Sequence, residues 1–166
     1  VLADMLETPE GKTATLHSQK LSSDEGMKSM IETMQPDIIA IVQGKTPQKH
    51  TANNVKPERK KLFTDYYKSC GIGSMLPAII KAQMANANLD ETIQKKLETY
   101  LTDNMEVLLL MASEGVMTDT DLRFYNRLCA QPQYEKMING MTSIMNNPQE
   151  LGISIIMKYK TWADNL

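Results

Sequence analysis

Apolar positions in this chain recur every three to four residues, and no stretch alternates apolar with polar between turn residues. The row Met27, Met30, Ile31, Met34, Ile38, Ile41 and Val42 defines one helix face. Ser22 and Glu25, at capping-box spacing, are expected to open that helix, and Gly44 to end it. Pro36 lies inside it and is expected to kink or split it, because its ring opposes the carbonyl four residues back. Ahead of it, a short helix at Leu2–Glu7 leads to Thr8, a cap, and Pro9, which suits a first helical position. Downstream, Pro57 opens a helix ending before Gly71. Ser74 starts another, and Asp90 caps the longest, with Ile93, Leu97, Tyr100, Leu101, Met105, Leu108 and Ala112 on one stripe. Thr118 and Asp121 open a short helix to Ala130. Pro132 begins the next, with Tyr134, Met137, Ile138, Met141, Ile144 and Met145 expected inward. The run Asn147-Pro148-Gln149-Glu150 predicts a last helix, docked by Trp162. The fold class is all-α.

Two stretches look like copies of one corner: Met5-Leu6-Glu7-Thr8-Pro9-Glu10-Gly11-Lys12 and Leu128-Cys129-Ala130-Gln131-Pro132-Gln133-Tyr134-Glu135. Their recurrence predicts two related multi-helix units stacked as a bundle, since one short unit cannot bury its apolar stripe alone. Residues 1–43 would be the end of a first unit. The polar, aperiodic stretch 44–56 would be a linker, and residues 57–166 a second unit with a C-terminal helix. A first unit that is incomplete in this chain would expose its stripe, which makes homodimerisation an expectation.

At 166 residues and 42% hydrophobic the chain can bury a core, but with 5% aromatics and thirteen methionines that core must be aliphatic and methionine-rich. A net charge of −2 and a pI of 5.7 give no footprint for general nucleic-acid binding. The charge is uneven: −4 over residues 1–43, +5 over 44–68 and −3 over 69–166. The basic block reads as a solvated face, with an anion or acidic-partner patch as the alternative. No apolar run reaches the ~20 residues of a membrane span. The chain opens at Val1 inside a helical pattern, so its natural N-terminus is expected upstream, with room for a removed secretion signal.

Candidate chemistry is sparse. His17 and His50 have no ligand-spaced partners and are expected at the surface. Asp119 and Asp121 suit a first helical turn. Asp103 and Glu106 lack the Glu-x-x-His pairs of a di-iron bundle. Gly71-Ile72-Gly73-Ser74 before a helix is a weak anion cradle. No catalytic, metal-ligating or cofactor-binding residue stands out. Met27, Met30 and Met34, and then Met137, Met141 and Met145, lie in rows whose thioethers suit packing, an adaptable apolar groove, or Cu(I). Cys70 and Cys129 lie on apolar helix faces. They are two buried thiols or one disulfide, and a disulfide would place the chain in an oxidising compartment.

At the corner residues the chain resembles the bacterial domain-of-unknown-function family 2059, whose pattern is Thr/Ser-x-x-Glu-Leu followed by Phe-Tyr-x-Ser/Thr-Pro-x-Gly-x-Lys. Thr118, Asp121 and Leu122 match the helix opening. Thr8, Pro9, Gly11 and Lys12 match the corner, while Gln131 and Tyr134 depart from its hydroxyl and glycine. The resemblance implies a helical fold, a periplasmic or exported location and no established activity. The functional expectation is a non-catalytic envelope protein that binds a protein partner or an apolar ligand. Its alternatives are an enzyme with a weakly signalled site and a copper-binding protein.

Overall fold

The computed structural model describes residues 1–85 and 89–146. Among them are eight α-helices and no strand: α1 (Leu2–Glu7), α2 (Pro9–Ser22), α3 (Asp24–Val42), α4 (Pro57–Ser69), α5 (Ile72–Ala85), α6 (Glu91–Ser113), α7 (Asp119–Cys129) and α8 (Pro132–Asn146). The all-α expectation holds. The expected C-terminal helix and Trp162 lie outside the described residues.

The first two corners are built alike. Thr8 and Ser23 are extended N-caps whose hydroxyls accept from Gly11 N and Gly26 N and donate to the carbonyls of Met5 and Lys20. A Cβ on Gly11 would lie 2.3 Å from the Met5 oxygen, and one on Gly26 2.2 Å from the Lys20 oxygen. Glycine is what lets each helix start beneath the last carbonyls of the one before. The α3 cap is therefore Ser23, one residue after the expected Ser22, because the bond to Gly26 forms only where the chain can approach this closely. Pro36 does not split α3. Pro36 lies on the exposed side of the helix, and the buried row Met30, Met34, Asp37 and Ile41 continues past it.

Among the described residues three apolar clusters fill the interior, and each joins residues from either side of 44–56. Met30, Met34 and Ile41 of α3 pack with Leu97, Tyr100, Leu101, Met105 and Leu108 of α6. Leu21 of α2 packs with Phe63, Tyr66 and Tyr67 of α4, Leu110 of α6 and Leu122 of α7. Cys70 and Cys129 form a disulfide between the C-terminal ends of α4 and α7, with Cα atoms 5.1 Å apart and a sequence separation of 59. Arg59 of α4 ties the α6–α7 junction. It donates to the Ser113 and Met117 carbonyls and the Ser113 hydroxyl, and pairs with Glu114 and Asp119. No helix among the described residues is long and apolar enough to cross a membrane.

The stretch 44–56 is not a free linker. Ala52 and Val55 are buried in the cluster of Phe63 and Leu122, and Gln48 and His50 bond to α3. We call it the strap.

Candidate ligand-binding groove

Asp37 sits in the buried row of α3, where an ionised carboxylate must find hydrogen bonds or neutralise. It finds three. Gln48 N–H donates to Oδ1 at 2.7 Å, and His50 Nε2 lies 2.6 Å from Oδ2. The Tyr100 hydroxyl, from α6, donates to Oδ2 at 2.8 Å. Burial alone would raise the Asp37 pKa, but the bonds from Gln48, His50 and Tyr100, with the charge of His50, outweigh it and hold the carboxyl below the usual range. Tyr100 is pushed the other way, by burial first and by the adjacent carboxylate second.

An ionised Asp37 fixes the imidazole. Oδ2 accepts, so Nε2 of His50 carries hydrogen, and in the neutral ring Nδ1 holds the lone pair. Nδ1 has no hydrogen-bond partner among the described residues, and His50 lines an open groove of about 1010 Å³. One wall is the strap from Gly44 to His50, and the other is α6 from Glu91 to Val107. At 1.5 Å per residue the α6 wall is about 24 Å long. Ile41, Tyr100 and Val107 supply apolar surface. Lys45 and Lys49 stand on one wall and Lys95 and Lys96 on the other, against Glu91 and Asp103. None of these four lysines pairs with a carboxylate among the described residues; Lys45 donates to Gln43.

A second carboxylate–imidazole pair lies outside the groove. Asp121 forms a capping box with Thr118, and its Oδ2 also lies 2.8 Å from His17 Nδ1. Burial opposes ionisation of Asp121, but the Thr118 and His17 bonds prevail and its pKa is lowered. Neither histidine is the free surface residue expected: His50 is 9% exposed and His17 29%, each tied to a buried carboxylate. Their partners come from distant elements, so ligand spacing along the sequence could not reveal them. The signal was Asp37 itself, a carboxylate inside an apolar row.

The other candidates are placed as follows. Met137 and Met141 are exposed on α8, not inward, because α8 turns Ile138 to the interior and Tyr134 towards the Cys70 carbonyl. They line none of the cavities described, and the Met145 side chain lies outside the described residues. Met30 and Met34 are core. Among the described residues no group of three or more His, Cys, Asp or Glu could hold a metal ion. Glu106 accepts from Thr64, and Asp103 lines the groove. The Gly71–Ser74 turn is filled, with the Ser74 hydroxyl donating to the Gly71 carbonyl and Ile138 packed on Gly71.

Comparison with protein-family models, with curated proteins and with solved structures finds no match to this chain.

Proposed function

We propose that this is a non-catalytic helical binding protein of the bacterial envelope, and that an apolar ligand lies in the groove between the strap and α6. The observation that carries the reading is the groove itself. It is long, of ligand size, and walled by a strap that a buried carboxylate holds in place. The Cys70–Cys129 disulfide supports export, because such bonds persist in oxidising compartments. The likeness of the Thr8-Pro9-x-Gly11 corner to family 2059 supports the same placement, and membership of that family is part of the proposal. In a homodimer, the exposed Ile31, Ile39 and Val42 of α3 would be the surface to cover.

The test is titration with 1-anilinonaphthalene-8-sulfonate, alongside native mass spectrometry of the protein purified from periplasm. Thr99→Trp places an indole over the groove from an exposed α6 position. It is expected to abolish the probe signal and any retained ligand mass while leaving the fold intact. Equal probe binding by the wild type and Thr99→Trp would remove the groove as the site.

A second reading, an enzyme using acid–base chemistry, is favoured by one observation: Asp37 holds His50 with a free nitrogen beside the groove. Hydrolysis of an ester panel that disappears in His50→Gln would support it.

A further inference from the structure

The groove offers a ligand more than apolar surface. Four lysines from the two walls, Lys45, Lys49, Lys95 and Lys96, outnumber the lining carboxylates Glu91 and Asp103, leaving a net positive field over the opening. Their methylene stems extend the apolar surface supplied by Ile41, Tyr100 and Val107. This combination suits a molecule with an apolar body and an anionic group.

His50 shows where that anionic group sits. Its Nε2–H is committed to Asp37, so only Nδ1 can meet a ligand. In the neutral ring Nδ1 is a lone pair and repels an anion. In the protonated ring it is an N–H donor with a positive charge, and a carboxylate beside it forms a charge-assisted hydrogen bond. The Asp37 carboxylate behind the ring, held by Gln48 N–H and the Tyr100 hydroxyl, supplies the counter-charge that makes an imidazolium acceptable on a side chain this buried. The charged and titratable groups that bond to His50 or line the groove with it are Asp37 from α3, Lys45 and Lys49 from the strap, and Tyr100, Glu91, Asp103, Lys95 and Lys96 from α6.

We infer that the groove takes a ligand whose apolar chain ends in a carboxylate, and that His50 gains one proton at Nδ1 when this ligand binds. The proton comes from the buffer, no covalent bond forms or breaks in the ligand, and the bound state is a carboxylate–imidazolium–carboxylate sandwich. The inference rests on the groove being the binding site and adds its ligand class. Because the proton is taken up with the anion, affinity rises as pH falls, by up to about tenfold per pH unit.

The test is calorimetric titration of the full chain with decanoate, and separately with 1-decanol, between about pH 5.5 and about pH 8.5. Two cationic buffers of different ionisation enthalpy count the protons. The inference expects decanoate to bind with net uptake of up to about one proton, and to bind more tightly than decanol at the acidic end. His50→Gln keeps a side-chain N–H for Asp37 but cannot titrate, so it is expected to bind decanoate about tenfold more weakly at the acidic end, with no proton uptake. Lys45→Gln with Lys49→Gln, at exposed positions, is expected to weaken binding and flatten its salt dependence while keeping the proton uptake. If decanoate binds without proton uptake, or His50→Gln leaves the uptake unchanged, the inference is overturned while the groove reading survives. Equal affinity for decanol and decanoate has the same meaning. If neither compound binds, both fall.

Discussion

Asp37→Ala removes one acceptor from three donors at once, and the structure indicates how each responds. Gln48 and His50 belong to the strap and can recover water by moving away from α3. The Tyr100 hydroxyl cannot, since the residue is 4% exposed on a helix packed into the core. An unsatisfied buried hydroxyl costs about 1–3 kcal/mol. If the strap stays in place, all three donors are left unsatisfied and the loss approaches the ~3–5 kcal/mol of a broken buried charge pair. We expect a loss of about 3 kcal/mol, which in urea unfolding at neutral pH moves the midpoint by about 1–2 M. The strap should also loosen, so trypsin should cut after Lys45 and Lys49 faster than in the wild type. A midpoint shift below about 0.3 M together with unchanged trypsin cleavage would refute the reasoning, because it would mean that Asp37 does not hold the strap.

Other consequences follow from the same geometry. Reducing the Cys70–Cys129 bond, which closes a loop of 59 residues, should lower stability by about 4 kcal/mol on the chain-entropy argument, read as the shift in urea midpoint with and without reductant. Arg59→Lys should lose about 2 kcal/mol in the same assay, because an ammonium cannot reach the Ser113 and Met117 carbonyls while also pairing with Asp119. Gly26→Ala should lose about 1–3 kcal/mol through the close approach of its Cβ to the Lys20 and Leu21 carbonyls, measured by thermal unfolding. Asp37 and Asp121 both have pKa values below the ordinary 3.8. An unfolded chain therefore takes up these protons first, so the stability they give is present above that value and is lost as pH falls through their folded values. Asp121→Asn should flatten the acid limb of a stability–pH curve.

Much of the helical framework was legible because it is written in local chemistry. Asp90 and Thr118 cap the helices they were expected to open, and Gly44 ends α3 as its position suggests. The α3 cap slipped by one residue because the deciding contact, the Lys20 carbonyl against Gly26, is steric and invisible in a pattern of hydroxyls and carboxylates. The strap was read as a linker because Ala52 and Val55 are too few and too irregular to give a period, yet two buried apolar residues and two hydrogen bonds to Asp37 pin it. The groove was not legible. Its Asp37, His50 and Tyr100 come from three elements, and the pairing of α3 with α6 that brings them together is long-range packing. The α8 methionines misled for a related reason: a row of Met137 and Met141 indicates an apolar face but not which neighbour covers it.

The central claim is that the strap and α6 form one ligand-binding groove. Its most direct test is a titration of the isotope-labelled full chain with decanoate, followed by backbone amide NMR. The account predicts shifts confined to Lys45–His50 and the groove face of α6 from Glu91 to Val107, with Thr99→Trp silencing them. Shifts centred instead on Met137 and Met141 of α8, or a spectrum that responds to neither decanoate nor 1-decanol, would contradict it.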